Sequence, residues 1–254
     1  MSHFEPLVRF FKALDQTAER VEKTWWGVVA TDSRFPQIWD ANYATVEHAD
    51  SDVTLSEVEN VLVPAARKAG ARFSHVVVLD QGQTGVVIEA KARGDRIHSD
   101  TVMQHFGSVP ETPGGHVVGE VTDLTPGFWD RVGHAFREFD VTEPDVIEEM
   151  VRREREVVTP FGKRWFTVSL IGEFDGIGAL YVHDGVGYVD NVITLPEARR
   201  RGIAAAIVSH AVEEAKAAGA GSVYLLADQP GPIRLYERLG FREVGRIAST
   251  LRAL

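Results

Sequence analysis

Arg199–Ala204 reads RRRGIA and lies between a strand-like run, Tyr188–Thr194 (YVDNVIT), and a long stretch of helical periodicity. In that stretch Ile203, Ile207, Ala211 and Ala215 fall on one stripe and Ser209, Glu213 and Lys216 on another. The pattern predicts an amphipathic helix from about Pro196 to Ala218 whose buried face carries small residues. At a strand-to-helix turn the first helical N–H groups have no intrahelical acceptor, and the aligned peptide dipoles leave about half a positive charge there. Gly202 lets the backbone approach an anion closely and Ala204 keeps the helix start uncrowded. Arg199, Arg200 and Arg201 add positive charge. The turn is therefore a candidate diphosphate site; taken alone, the hexapeptide would equally suit a solvated Arg-rich helix start.

Beyond the helix, Gly219 is placed to end it, Ser222–Ala227 is a short apolar strand, and Pro232 opens a second helix that Gly240 closes. Phe241–Val244 and Ile247–Leu251 supply last strands. Upstream, His116–Thr122 reads as a strand, Pro126–Phe139 and Glu143–Val158 as helices, and Trp165–Ile171 and Gly176–Val182 as a hairpin joined by GEFDG. The Pro- and Gly-rich run FGSVPETPGG (Phe106–Gly115) suits a linker, which places a smaller unit at 1–110 and a larger one at 111–254. In the first unit, Thr24–Ala30, Ser74–Leu79 and Val86–Ala90 read as strands and Leu55–Ala69 as a helix. Its segment ARKAGARFSHVVVLDQ (Ala66–Gln81) resembles AKAAGAGSVYLLADQ (Ala215–Gln229), a hint of duplication. The class is α/β throughout.

Composition narrows the chemistry. Lys and Arg number 27 against 37 Asp and Glu, a net charge of −10, which disfavours nucleic acid and anionic membranes as partners. With no cysteine there is no disulfide, no thiolate metal site and no acyl-cysteine intermediate. Glu5, Arg9, Lys12 and Asp15 interrupt the N-terminal apolar stretch and no run of about 18 apolar residues occurs, so a cytoplasmic protein is expected. The nine histidines lack metal-binding spacing, and no metal is expected. Gly162-Lys163 is followed by Arg164, not the Ser or Thr of a phosphate loop. Gly176-Ile177-Gly178 and Gly185-Val186-Gly187 lack the third glycine of a dinucleotide site.

About 30 residues beyond the Arg-rich turn comes Leu235-Tyr236-Glu237-Arg238-Leu239-Gly240-Phe241. An Arg-x-x-Gly-x-Ala turn after a strand, followed by strand, helix and Leu-Tyr-x-x-x-Gly-Phe, resembles the GNAT superfamily of acyl-CoA-dependent N-acyltransferases. The match is good from about Tyr188 to Val244. The resemblance implies a GNAT-like mixed β-sheet flanked by helices, preceded by a smaller degenerate GNAT-like domain. It further implies acetyl-CoA as donor, with the pyrophosphate on Arg199, Arg200, Arg201, Gly202, Ile203, Ala204 and Ala205. The pantetheine would pair with backbone of Val192, Ile193 and Thr194 on a strand splayed from its neighbour, where a free N–H could also stabilise the oxyanion. Tyr236 takes the family's tyrosine position as proton donor to the leaving thiolate. Gln229 stands where the family often has Asn.

The family does not fix the general base; Asp190, in the cofactor strand, and Glu173, in the preceding hairpin, are candidates, each with an ordinary solvated carboxylate as alternative. Trp25, Trp26, Trp39 and Asn42 could wall an acceptor pocket or simply pack a core. The first unit has no Arg-x-x-Gly turn after a strand and is expected to bind no CoA. The expected acceptor is a small-molecule amine and the expected assembly a monomer or homodimer. A non-catalytic acyl-CoA-binding regulator and a nucleotide-binding module remain alternatives at this level.

Overall fold

The computed structural model describes residues 4–47, 52–79, 84–108, 115–139, 141–169 and 174–254. It divides into two compact units, Met1–Val102 with Gly245–Leu254, and Met103–Val244. The boundary expected at 110/111 falls outside the described residues; the compact units change over at Val102/Met103.

The first unit runs α1 (Glu5–Asp15), β1 (Arg20–Lys23), β2 (Gly27–Thr31), β3 (Tyr43–Val46), α2 (Leu55–Lys68), β4 (Phe73–Val78), α3 (Gly85–Arg93) and into β5 (Arg96–His105). β1, β2 and β3 are antiparallel in sequence, and β3 pairs parallel with β4. Leu55, Val58, Leu62 and Ala66, one stripe of α2, are buried in a cluster with Val29, Ala44 and Val76. Val86–Ala90, read above as a strand, belongs to α3. Thr84 caps that helix by accepting from the Val87 N–H, and Gly94 at φ +91° closes it. Caps at both ends, with Val86 and Ala90 buried one turn apart, override the β-propensity of two adjacent valines.

Asn42 is fully buried and ties down its own loop. Its Nδ2 donates to the carbonyl of Phe35 (2.8 Å), and its Oδ1 accepts from the N–H of Asp32 (3.0 Å). Trp26 is in the core, whereas Trp25 and Trp39 are exposed. Asn42 and Trp26 therefore serve the core and a loop, the alternative weighed above.

The second unit runs β6 (Gly119–Glu120), α4 (Pro126–Phe136), α5 (Pro144–Arg153) continuing into a π-helical turn at Glu154–Val158, β7 (Arg164–Val168), β8 (Gly176–His183), β9 (Val186–Thr194), α6 (Ile203–Ala217), β10 (Ser222–Ala227), α7 (Pro230–Arg238) and β11 (Phe241–Ala253). Its strands lie in the order β10-β9-β8-β7-β6, with β9 and β10 parallel and the other pairs antiparallel. The two last strands expected are one, β11, whose end from Ala248 to Ala253 pairs antiparallel with Val78–Phe73 of β4. That pairing groups Gly245–Leu254 with the first unit.

The two units repeat one element order. Three strands in antiparallel succession, a helix, a parallel strand, a helix and a strand occur as β1-β2-β3-α2-β4-α3-β5 and again as β7-β8-β9-α6-β10-α7-β11. The similar segments noted in the sequence fall at equivalent places, the junctions α2–β4 and α6–β10. No helix among the described residues is long and apolar enough to cross a membrane.

Helix α6 lies close on β8 and β9 because those strands present glycines to it. A Cβ on Gly178 would overlap Ile207 Cγ2, one on Gly176 would overlap Ile203 Cγ2, and one on Gly187 would stand 2.8 Å from the Cβ of Ala215. The other face is covered by α4, with Phe128, Trp129, Val132 and Phe136 clustered with Trp165, Ile177, Ala179 and Ile193. Gly178→Ala should destabilise the protein by about 1–3 kcal/mol, the ordinary effect of overpacking. Urea denaturation checks this; an unchanged midpoint would mean that α6 does not sit this close.

Candidate active site

Between β9 and α6 the chain does not simply enter a helix at Pro196, as periodicity suggested. Pro196–Ala198 makes one 3-10 turn, Arg200 (φ +60°) and Gly202 (φ +85°) are left-handed, and α6 begins only at Ile203. Two left-handed residues within three positions curl the backbone so that successive amides can point the same way, the arrangement of an anion-binding nest. None of the amides of Arg200–Ala205 donates to a protein acceptor among the described residues; the next, Ala206, donates to the Gly202 carbonyl at 2.9 Å. His116 holds the turn from outside, its Nε2 donating to the Arg201 carbonyl at 2.6 Å. Arg200 and Arg201 are exposed. Arg199 is engaged elsewhere: its guanidinium pairs with Glu138, and its Nε donates to the Thr194 carbonyl at 3.2 Å.

The strand that leads into this turn is half free. β9 and β10 pair at Val186–Ser222, Gly187–Val223 and Tyr188–Tyr224 and then part, although β9 runs on to Thr194 and β10 to Ala227. On its other side β9 stays paired to β8, but with a bulge: Ala179 faces Asp190 and Ile177 faces Ile193, so Asn191 and Val192 share one position. Asn191 is left-handed, φ +49°. Val192, Ile193 and Thr194 thus lie in the unpaired reach.

Tyr236 joins these two features. It is buried on α7 in one apolar cluster with Val189 of β9, Ala205 of α6 and Ala227 of β10, against which Val192 also packs. Its ring centroid is 6.1 Å from that of Phe241, and its hydroxyl has no hydrogen-bond partner among the described residues. Burial, with Asp228 nearby, pushes its pKa up to about 12. The phenol therefore keeps its proton throughout the neutral range. Gln229, the residue before α7, is exposed and its Nε2 lies 3.1 Å from Asp228 Oδ2.

Asp190 opens onto the α4 side of the sheet, the face of its partner Ala179. Its Oδ2 accepts from Lys163 Nζ at 2.8 Å, and the same ammonium, wholly buried, donates to both oxygens of Glu154 at 3.0 and 2.8 Å. Lys163 also stands 4.7 Å from the Trp165 ring centroid and 5.3 Å from that of Tyr181. Burial works against its charge, but Asp190 and Glu154 outweigh it and hold the ammonium protonated. Burial likewise raises the Tyr181 phenol above its ordinary value. Glu173 lies outside the described residues. Lys163 and Glu154 were not singled out from sequence, because nothing local marks them: Lys163 served there only to dismiss a phosphate loop.

Among the described residues the corresponding region of the first unit is closed. β3 and β4 pair through Val46–Val78, and the Leu79 N–H donates to the Val46 carbonyl at 3.1 Å, so no fork opens among these residues. The start of α2 is filled by side chains of its own first turn and of α3. Thr54 and Glu57 form a capping box, and Glu89 Oε2 accepts from the Leu55 N–H at 2.9 Å. An anion would meet two carboxylates there. Among the described residues no group of three His, Cys, Asp or Glu could hold a metal ion.

Residues 129–241 match the family described as Acetyltransferase (GNAT) family. The fold is shared with a functionally unknown conserved protein from Staphylococcus epidermidis, with a TM-score of 0.74, 12% identity, and coverage of 93% of this chain and 94% of that one. It is shared also with a GCN5-related N-acetyltransferase from Kribbella flavida, with a TM-score of 0.68, 19% identity and coverage of 98% and 95%. A tandem GNAT protein from the clavulanic acid biosynthesis pathway aligns with a TM-score of 0.54, 14% identity and coverage of 84% and 75%. No curated protein matches the sequence.

Because the Tyr236 hydroxyl has no partner to lose, Tyr236→Phe should leave the stability within about 0.5 kcal/mol of wild type. Thermal melts followed by circular dichroism check this; a loss above that range would show a structural role for the hydroxyl.

Proposed function

We propose, on the premise that residues 129–241 form an acetyltransferase domain of the GNAT family, that this protein is an N-acetyltransferase that moves an acetyl group from acetyl-CoA to a primary amine within a ternary complex. The observation that carries the reading is the adjacency of unsatisfied amides at Arg200–Ala205 to the unpaired reach of β9. Backbone groups without a protein partner bond to water or to a ligand that takes its place. A diphosphate satisfies the first set, and an extended amide-bearing arm, such as pantetheine, satisfies the second as another strand would.

Each group then has a task. The amides of Arg200–Ala205 hold the diphosphate, with Arg200 and Arg201 able to reach its charge from solvent. A free N–H of β9 near the bulge stabilises the oxyanion as the amine adds to the thioester carbonyl. Asp190 receives the proton that the acceptor ammonium must lose before attack, the C–N bond forms, the C–S bond breaks as Tyr236 gives its proton to the departing thiolate, and the second proton of the nitrogen, shed as the amide forms, restores Tyr236 through water. The apolar setting that raises the Tyr236 pKa to about 12 also ensures that this proton is present.

Four outcomes test the reading. Calorimetric titration should find one acetyl-CoA per chain, since the first unit is closed, and a stoichiometry of two would contradict it. A panel of primary amines comprising amino acids, polyamines and aminoglycosides, assayed by release of CoA thiol, should include a substrate. With that amine, Tyr236→Phe should lower kcat by about 100-fold and leave the KM for acetyl-CoA unchanged. In wild type kcat should show no alkaline fall below about pH 10, because a raised phenol pKa delays loss of the acid; a fall near pH 8 would exclude Tyr236 as its source.

A further inference from the structure

Asp190 is a partly exposed carboxylate with one oxygen anchored and the other unengaged. Its side chain is 29% exposed, and Oδ2 alone is bonded, to Lys163. Lys163 itself has 0% side-chain exposure and spends its three N–H donors on three carboxylate oxygens, two from Glu154 and one from Asp190. Glu154 is held in turn by Asn191 Nδ2 at 3.3 Å. The backbone is shaped for this contact from both sides. The π-helical turn that begins at Glu154 adds a residue to the helix and coincides with an inward, buried carboxylate, and the β9 bulge puts the left-handed Asn191 directly after Asp190.

A cation buried this completely is costly unless it is fully paired, and truncating one member of such a set is strongly destabilising. Hydrophobic residues could fill the same space, so stability alone does not account for a lysine here. What the lysine does that an apolar side chain would not is to fix one oxygen of Asp190 and leave the second free at the bulge, next to the unpaired reach of β9. A solvated aspartate would sample several rotamers; this one is held in one. We infer that Lys163 is a positioning residue, which orients Asp190 so that its free oxygen meets the ammonium of the acceptor, with Glu154 balancing the buried charge. The inference rests on the reading of Asp190 as proton acceptor.

The test uses the full chain and the fastest amine of the panel. Asp190→Asn should lower kcat by about 100-fold with the acetyl-CoA KM unchanged. The neutral replacement E154Q/K163M, shown folded by its melt, should lower kcat about 10- to 100-fold, again without changing that KM. Introducing E154Q/K163M into D190N should cost no further rate, because Lys163 acts only through Asp190, whereas a merely structural role would lower the rate in the D190N background too. Glu154→Gln alone keeps the Lys163–Asp190 contact and should lower kcat less than Asp190→Asn does, a comparison available even if the pair variant does not fold. A pair variant with wild-type kcat beside an impaired D190N would overturn the role of Lys163 and leave that of Asp190 standing. A loss in E154Q as large as in D190N would assign the proton to Glu154 and overturn the proposal. Wild-type activity in D190N, or no turnover with any amine, would remove the reading beneath it.

Discussion

Strands β9 and β10 stay hydrogen-bonded for three residue pairs and then diverge, and the rest of the candidate site follows from that parting. Peptide groups left without a partner inside a sheet must be satisfied by something, and here the unsatisfied edge leads straight into the unpartnered amides at the start of α6. The glycines of β8 and β9 keep α6 close enough for its first residue, Ile203, to lie against Gly176, which fixes where those amides stand. Tyr236 fills the apolar side of the same fork. The first unit repeats the element order without the parting, and there the helix start is occupied by Glu57 and Glu89. Among the described residues, the two units differ in whether the parallel pair stays closed and in what occupies the helix start.

Much of this was legible in the sequence, for reasons that are local. The RRRGIA turn, the small-residue stripe of α6 and the apolar run Ser222–Ala227 follow from turn chemistry or periodicity within a few residues, whereas the Leu-Tyr-x-x-x-Gly-Phe segment stands out only through its resemblance to the GNAT superfamily. The failures are informative. Pro196 does begin a turn, but a 3-10 one, and the left-handed Arg200 and Gly202 delay the helix to Ile203. Periodicity cannot detect such a delay, since the apolar stripe continues through it. Val86–Ala90 was misread because β-branched residues outvoted the Thr84 and Gly94 caps. β11 was split in two because Gly245 interrupts an otherwise continuous strand.

The Lys163 cluster was not legible at all. Lys163 is separated from Glu154 by 9 residues and from Asp190 by 27, and no spacing rule connects a helix end, the entry to one strand and the bulge of another. It takes the π-helical turn and the bulge to bring the three together. Asp190 by itself looked like any solvated carboxylate; its geometry, not its position in sequence, gives it a distinct character.

The most direct test follows backbone amides by nuclear magnetic resonance as acetyl-CoA is added to the labelled protein. The amides of Arg200–Ala205 and of Val189–Thr194 should shift most, while those of Leu55–Glu57 at the start of α2 stay unchanged. Shifts concentrated at α2, or none at the α6 turn at saturating ligand, would contradict the central claim that the open fork and its amides form the donor site.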